Sequence, residues 1–533
     1  MSFPHRPLPD CPPPFQPAVR RSTRFRWWDG ARLYALVALL SFASSALVGC
    51  FIPRYTPRVH DEFAYLLAGQ TFAQFQLTNP PHPLWRFFET HHILVHPTYQ
   101  AKYLPGHSLF IAVGYWIGHP IFGIWLESAL LAACMTWLLR GFFAPRWAFL
   151  GGVLTITQFG ITCYWAQSYW GGALPAAGGA LVFGGAFRIW RRGRVSDATF
   201  LGAGAAILIL TRPFEGALVC VIPSIVVLAR CIRDRRELSQ TLRELLLPGG
   251  LVVCASLAFL AYYNFRVTGS PWRLPYLEYE QQYSGSPTFT WQSPRPEPVF
   301  INPALREYYR EYVVPLSRFH EHPALVFGHR FWLTAERFVG FVLLPFAALA
   351  LLIRPSPWTW LAGASLAICS LALVLSYWFS SHYQSVAAPL YLFLVVVGIR
   401  RLVLHHSSLR KNCGAACALI LVAQAFALTR DRSIERDLGY YQSVNPRDRI
   451  FDALVKAGGK HIVFVRLERP FHVHFGWVFN DAVLEESTVL WVWDRGPEEN
   501  QRFLAYYPDR RAVIMTVRDE KTSFEPVAPN QPP

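Results

Sequence analysis

Long apolar segments, separated by short basic loops, limit this chain to a membrane-embedded fold. Of its 533 residues, 53% are hydrophobic and only 16% are charged, whereas a soluble protein usually carries about 25% charged residues. The apolar residues form continuous runs and do not follow amphipathic spacing, so the excess apolar surface must face lipid. This composition excludes a disordered chain, a coiled coil and an ordinary cytosolic enzyme.

Eleven segments are predicted to span the membrane. They are residues 32–52, 107–139, 147–164, 173–190, 198–212, 215–230, 246–264, 331–353, 358–378, 385–399 and 414–429. Segment 107–139 exceeds the ~20 residues that one crossing needs, and His119-Pro120 interrupts it. Two crossings here would move every later basic loop to the other side. We therefore predict one crossing with a partly embedded extra segment.

Basic residues cluster in the loops between these spans, and their positions predict the orientation. The clusters lie at 20–26, 140–146, 188–194, 230–236 and 400–411. Lys and Arg near span ends remain on the cytoplasmic side. We expect an inner (plasma) membrane protein with a cytoplasmic N-terminus, a flexible tail at 1–30 and an external C-terminus. The net charge of +16 resides in these loops, so no nucleic-acid partner is expected.

Three hydrophilic stretches fall on the external face: 53–106, 265–330 and 430–533. The first two are loops of a transmembrane domain at 31–429. The third carries strand-like segments at 460–465, 487–493 and 511–516 and a helical pattern at 496–507, which together predict a partly parallel sheet. The predicted fold is mainly α, a polytopic helical membrane protein of about 11 spans with a small C-terminal α/β domain outside the membrane.

Two adjacent carboxylates, Asp61 and Glu62, follow the first span. Acidic residues stabilise a helix N-terminus, so a solvated helix start is the simplest explanation. A functional role is favoured because Lys102 follows in the sequence Lys-Tyr-Leu-Pro-Gly, directly before the next span.

With this layout the sequence resembles the membrane-embedded C-type (GT-C) glycosyltransferases. These include the dolichyl-phosphate-mannose protein mannosyltransferases and the bacterial transferase that adds aminoarabinose to lipid A. The common features are a cytoplasmic N-terminus, one span, a large external loop that opens with Asp-Glu or Asp-Asp, and a Tyr/Lys-Pro-rich re-entry into the second span. The resemblance covers the layout of residues 20–260; its specific elements are Asp61-Glu62 and Lys102 to Gly106.

The resemblance implies transfer of a sugar from a polyprenyl-phosphate-linked donor to an acceptor hydroxyl on the external face, with inversion of the anomeric carbon. Asp61 would be the general base, and Glu62 would orient the acceptor or bind a cation. Lys102, Tyr103 and Arg212 would bind the donor phosphate. The partners are the lipid bilayer, the lipid-linked sugar and an acceptor that is protein, lipid or glycan. No residue specifies the sugar or the acceptor.

Three tight turns, at 164–170, 211–215 and 376–385, are predicted to face the same side as these loops. The legs of the hairpin that contains the second turn have only about 17 residues, ~26 Å in length. Arg212 and Glu215 therefore lie near membrane depth, where charged groups are by default functional candidates. Glu215 either neutralises Arg212 or contacts substrate.

The remaining candidates have structural alternatives. His382 is a candidate phosphate contact, and Gln167 a substrate contact. Tyr164 and Trp170 either stack on a sugar or belong to an aromatic belt, and Arg266 either binds substrate or anchors to lipid headgroups. The clustered histidines at 82, 91, 92 and 96 lack the spacing of a zinc motif. No cofactor is certain, and a divalent cation remains open.

Three other functional classes remain open. A transporter or flippase would show two related halves, and no such repeat is found. A polysaccharide polymerase or ligase would depend on a late external loop, for which 265–330 is available. A non-catalytic assembly factor would tolerate the loss of Asp61.

Overall fold

The computed structural model describes residues 30–52, 55–233, 240, 242–293, 297–300, 302–429, 446–469, 476–519 and 521–527. The predicted flexible tail at 1–30 lies outside this part of the chain, apart from its last residue. Within it the fold is a polytopic helical membrane protein with a small sheet outside the helical bundle, as the sequence predicts.

Seven helices in the described residues are long and apolar enough to cross a membrane. They are Ala31–Gly49, Ile121–Phe142, Ala173–Arg191, Pro213–Arg233, Leu247–Thr268, Pro357–Leu375 and Ser381–His405. Two further helices, Pro323–Phe338 and Gly340–Leu352, form an eighth span if counted together, and they meet at 101°. Gly340 lies at this bend with a φ of 62°, which glycine adopts without steric cost. The predicted number of eleven spans stays a prediction.

Shorter helices complete the bundle and its external loops. They are His60–Ala73, Pro105–Trp116, Pro145–Thr155, Tyr164–Gln167, Val195–Thr211, Pro275–Tyr279, Pro303–Tyr308, Val314–Phe319, Ser407–Lys411 and Cys413–Thr429. Irregular helical turns are Trp85–Phe88, Ile156–Gly160, Leu242–Leu246, Glu280–Ser284 and Tyr309–Val313. A two-stranded antiparallel ribbon pairs Ile93–Leu94 with Gln100–Ala101.

The long apolar segment 107–139 is divided between two helices, Pro105–Trp116 and Ile121–Phe142. A Cβ on Gly123 would lie 2.0 Å from the carbonyl oxygen of Phe110, so the two helices pack tightly against each other. The first has 12 residues, about 18 Å, which is too short for the ~30 Å hydrocarbon core. The structure agrees with one crossing preceded by a shorter helix.

Arginines from three predicted basic loops meet at one end of the bundle. The guanidinium of Arg188 interacts electrostatically with those of Arg140 and Arg192, and Arg400 interacts with Arg146. The helices that end in these loops begin at the opposite end of the bundle, where the tight turns lie. The basic loops and the turns therefore occupy opposite ends, as the sequence predicts.

The C-terminal stretch folds around a four-stranded sheet. Strand His461–Glu468 pairs in parallel with Val489–Trp493 and with Arg511–Arg518. Lys521–Pro526 pairs antiparallel with the outer side of Arg511–Arg518. The accompanying helices are Pro446–Ala457, Leu484–Glu486 and Pro497–Tyr506. The three predicted strands, the helix between the last two and the partly parallel sheet are confirmed, whereas the fourth strand was not predicted.

One backbone carbonyl connects the three hydrophilic stretches. The oxygen of Glu89 accepts hydrogen bonds from the Asn302 amide at 2.9 Å and from the Trp493 indole at 2.5 Å. An ion pair between Arg469 and Glu307 joins the second and third stretches again. The three stretches thus form one continuous structure at the end of the bundle that carries the turns.

The sheet packs directly on helix His60–Ala73, named here the Asp61 helix. The ring of Phe63 stacks on Phe479 at a centroid distance of 4.1 Å. The Arg447 guanidinium lies 5.4 Å from the Phe63 ring and 4.7 Å from the Trp491 ring. It also donates to the carbonyl of Phe479 at 2.6 Å. The C-terminal stretch therefore buttresses the helix that carries the acidic pair.

Candidate active site

A cavity of about 1160 Å³ lies between the Asp61 helix, the second external stretch and the three tight turns. Ten tyrosines line it, together with three cations and three carboxylates. The charged lining residues are Asp61, Lys102, Arg212, Glu215, Glu280 and Arg337. Four of these six lie in the first external loop or the tight turns that the sequence predicts as functional. Glu280 comes from the second external stretch, and Arg337 from helix Pro323–Phe338.

Asp61 lies in the first turn of its helix and faces the cavity with a side chain that is 19% exposed. Its Oδ1 accepts a hydrogen bond from the Tyr103 hydroxyl. Its Oδ2 lies 3.8 Å from Nε2 of His92 and makes no hydrogen bond with any described residue. One oxygen is thus held by the protein and the other is open to a ligand.

Glu62, the neighbouring carboxylate, is completely buried and does not line the cavity. Its Oε2 accepts from the backbone N–H groups of Arg58 at 2.9 Å and Val59 at 3.3 Å, and its Oε1 from that of Tyr169 at 3.0 Å. Burial raises the pKa of Glu62 to about 7, while these N–H groups act in the opposite direction. Glu62 caps the Asp61 helix and fixes turn 164–170. It lies outside the cavity lining, and its contact with an acceptor or a cation stays a prediction.

Lys102 is buried in an ion pair. Its Nζ lies 2.9 Å from Oε1 of Glu280, and the two side chains are 6% and 3% exposed. The ammonium also lies 4.7 Å from the Tyr276 ring and 4.5 Å from the Tyr279 ring. The second oxygen of Glu280 accepts from the Ser286 hydroxyl. The charge of Lys102 is therefore already neutralised within the protein.

Arg212 has a different environment. Its guanidinium lies 4.2 Å from the centroid of the Tyr383 ring and interacts electrostatically with Glu215. Within the described part of the chain it makes neither a side-chain hydrogen bond nor an ion pair. The Tyr383 side chain also interacts with Asp61 and Glu280, so the charged groups of the cavity converge around this ring.

Turns 164–170 and 376–385 meet through His382. Its Nδ1 lies 3.1 Å from the Tyr164 hydroxyl and 2.8 Å from the Ser380 hydroxyl. His382 is buried and lies behind the cavity wall, outside the lining, whereas Tyr164 and Trp170 line the cavity. His382 therefore positions Tyr164 and does not itself line the cavity; its contact with a phosphate stays a prediction.

Two other predicted substrate contacts lie outside the cavity lining. Gln167 is buried, accepts from the Tyr55 hydroxyl at 2.5 Å and donates to the Ile161 carbonyl at 2.8 Å. Arg266 is exposed, and its Nη1 donates to the Tyr262 hydroxyl at 3.2 Å. Gln167 is thus part of the packing of its turn, and the position of Arg266 fits the headgroup alternative.

The clustered histidines do not assemble into one site. His82 contacts the Tyr507 hydroxyl at 3.0 Å, and His96 packs on the Trp85 ring at 5.6 Å. His91 stacks on His60 at 4.0 Å. In the described ranges no group of three or more His, Cys, Asp or Glu side chains is arranged to hold a metal ion.

Sequence reasoning missed Glu280 and the place of His92 beside Asp61. Glu280 is 178 positions from its partner Lys102, and no local pattern reports such a pairing. The available signal was compositional: the segment from Pro275 to Tyr283 contains three tyrosines and two glutamates, an unusual density for a loop next to a membrane.

No family model matches the sequence, and no curated protein sequence matches it. Among solved structures, that of ArnT from Cupriavidus metallidurans bound to undecaprenyl phosphate is similar with a TM-score of 0.53 and 13% identity, over 91% of this chain and 92% of that chain. The apo state of the same protein gives a TM-score of 0.52 and 12% identity over the same shares, 91% and 92%. ArnT is a lipid A aminoarabinose transferase. The likeness confirms, at the level of the fold, the resemblance to GT-C proteins.

Proposed function

We propose that this protein is a membrane glycosyltransferase that moves a sugar from a polyprenyl-phosphate-linked donor to an acceptor hydroxyl on the external face. The observation that carries this proposal is one cavity in which the Asp61 carboxylate and the Arg212 guanidinium both lie, at the end of the bundle opposite the basic loops. The bound undecaprenyl phosphate in the ArnT structure supports the donor class.

Asp61 is the general base in this reaction. The acceptor oxygen bonds to the anomeric carbon while the bond from that carbon to the phosphate oxygen breaks and leaves its electron pair on the phosphate. The hydroxyl proton passes to Oδ2 of Asp61, since the Tyr103 hydroxyl already occupies Oδ1. Attack opposite the departing phosphate inverts the anomeric configuration.

Arg212 is the principal contact of the phosphate. A guanidinium without an ion pair can offer two parallel N–H donors to phosphate oxygens and stabilise the charge that forms on the leaving group. Its position over the Tyr383 ring holds it facing the cavity. Lys102 contributes only by exchanging Glu280 for the phosphate, because its charge is paired at 2.9 Å.

The aromatic lining suits a sugar and its lipid carrier. The rings of Tyr164 and Trp170 lie 5.5 Å apart on one wall, where their faces can stack on the apolar side of a sugar ring. At about 1160 Å³ the cavity exceeds the roughly 300–1,000 Å³ of a site for one small ligand. This size accommodates the donor headgroup and an acceptor together.

The orientation follows from the same arrangement. The basic loops lie in the cytoplasm, so the cavity and the C-terminal sheet lie outside, with the transmembrane catalytic domain at 31–429 and the small external domain at 430–533. Holding both substrates at one site lowers the entropic barrier to their reaction.

A donor panel tests this proposal. Purified protein in nanodiscs would be incubated with radiolabelled sugars on undecaprenyl phosphate, in buffer alone and with a membrane extract as acceptor source. We expect the wild-type protein to transfer the sugar of at least one donor to water or to an acceptor. The Asp61→Asn variant should not transfer it. Intact labelled donor after incubation, with movement of that donor across proteoliposome membranes, would support a flippase and contradict the proposal.

A further inference from the structure

His92 lies beside the proposed base, and neither proton abstraction nor phosphate binding explains its presence. It lines the cavity, its side chain is 12% exposed, and its Nε2 lies 3.8 Å from Oδ2 of Asp61. That oxygen is the one left open by Tyr103. The imidazole therefore faces the reactive side of the carboxylate.

The backbone of His92 adopts a conformation that few side chains tolerate. Its φ is 64°, in the left-handed region where residues with a Cβ are disfavoured. Its carbonyl accepts from the Lys102 N–H at 3.0 Å, and its backbone also forms a hydrogen bond with the Tyr279 side chain. Such strain persists where the surroundings enforce it, commonly at functional sites.

Aromatic neighbours fix the direction of the imidazole. Ring centroids lie 5.7 Å away at His60, 5.8 Å at Tyr103 and 5.7 Å at Tyr279. The imidazole is thus held on three sides and presents Nε2 toward Asp61.

One oxygen atom can bridge these two groups from the side. A separation of 3.8 Å between Nε2 and Oδ2 is too long for a direct hydrogen bond. A single hydroxyl oxygen can, however, lie about 2.8 Å from both atoms at once. An imidazole and a carboxylate together offer that hydroxyl one donor and one acceptor.

We propose that His92 and Asp61 together form the binding site of the acceptor hydroxyl, called here the seat. In this seat Nε2 of His92 donates a hydrogen bond to the hydroxyl oxygen, and Oδ2 of Asp61 accepts the hydroxyl hydrogen. During transfer that hydrogen moves to Asp61 as the new carbon–oxygen bond forms, His92 keeps its own proton, and Asp61 then releases the proton to water in the cavity. This assignment rests on the proposed function and adds an acceptor-positioning residue to it.

The substitution His92→Gly tests the seat with little expected harm to folding. Glycine adopts a φ of 64° without steric cost, and it leaves a space that free imidazole can fill. The assay is hydrolysis of the donor identified in the panel, with water as the acceptor. We expect kcat to fall about 10- to 100-fold with the donor KM unchanged, and added imidazole to restore kcat.

A matched control separates this effect from the glycine itself. Phe75 also has a positive φ, 58°. The residue is 86% exposed and does not line the cavity. Phe75→Gly should keep the native kcat, and imidazole should not change it.

Two results would overturn the proposal: native kcat in His92→Gly, or a loss of kcat that imidazole does not restore. The first means that the imidazole is dispensable, and the second means that only the loop conformation mattered. Both differ from failure of the proposed function, in which the wild-type protein itself would cleave no donor.

Discussion

The two sides of the cavity that carry Lys102 and Arg212 differ in how their charges are satisfied. Lys102 is buried against Glu280 and two tyrosine rings. Arg212 lies on the Tyr383 ring and has no ion pair in the described residues. A ligand phosphate must displace a carboxylate at the first site but not at the second. Both side chains carry one positive charge. The group already paired with each of them therefore decides whether it can bind a phosphate without first releasing a carboxylate.

The same contrast separates the two adjacent carboxylates. Asp61 presents an oxygen to the cavity, whereas every acceptor contact of Glu62 goes to a backbone N–H group inside the protein. One position along a helix turns a side chain by about 100°, and this rotation directs one carboxylate into the cavity and the other into the protein.

The largest effect is expected for Asp61→Asn. The amide cannot take the hydroxyl proton, so donor cleavage should fall about 1,000-fold or more, while membrane insertion stays normal. Donor turnover in nanodiscs measures this. Asp481→Asn is the matched control. The Asp481 carboxylate accepts a hydrogen bond of 2.9 Å from the Gln70 amide and does not line the cavity, so this variant should keep the native rate. Full activity of Asp61→Asn would remove the proposed base.

The next effect is expected for Arg212→Ala. Loss of this guanidinium, which makes no ion pair within the described residues, should lower kcat/KM for the donor about 100-fold. Arg212→Lys should recover part of this loss, because a lysine keeps the charge but not the paired N–H donors. Steady-state kinetics across a donor titration distinguish these outcomes. Equal activity of the alanine variant and the wild type would show that phosphate binds elsewhere.

A smaller catalytic effect, with a loss of stability, is expected for Lys102→Met. The substitution leaves the buried Glu280 carboxylate without its cation, which should cost about 3 kcal/mol in the free energy of unfolding and lower turnover about 10-fold. Adding Glu280→Gln should restore much of the stability, because the unpaired charge is then removed. Thermal unfolding in detergent measures both variants.

A larger loss of donor turnover in Lys102→Met than in Arg212→Ala would exchange the roles of the two cations. If Lys102→Met abolished donor turnover without lowering stability, and Arg212→Ala had a minor effect, Lys102 would be the principal phosphate contact.

The smallest effect is expected for Arg266→Ala. Its guanidinium is exposed and bonded to Tyr262 at 3.2 Å, outside the cavity, so turnover should stay within about 2-fold of the wild type. A loss comparable to that of Arg212→Ala, in the same donor assay, would place Arg266 back among the substrate contacts.

Much of the architecture could be predicted because it depends on local composition. Apolar runs, Arg-rich loops and apolar strand segments each predict the local structure of the segment in which they occur. The basic loops and the tight turns lie at opposite ends of the bundle, as predicted. The acidic pair was found because of its position directly after the first span.

The details of the site could not be predicted because they depend on distant contacts. Glu280 pairs with a residue 178 positions away, and His382 is withdrawn behind the cavity wall by Tyr164. His92 has a left-handed backbone held by two hydrogen bonds, and aromatic rings distant in sequence fix the direction of its imidazole. None of these contacts leaves a pattern in neighbouring residues.

The most direct test of the central claim is an electron cryo-microscopy structure of the protein in nanodiscs with undecaprenyl phosphate. We predict phosphate density in the cavity, within hydrogen-bonding distance of the Arg212 guanidinium and on the same side as the open oxygen of Asp61. Phosphate density outside the cavity, or against the basic loops at the other end of the bundle, would contradict the account.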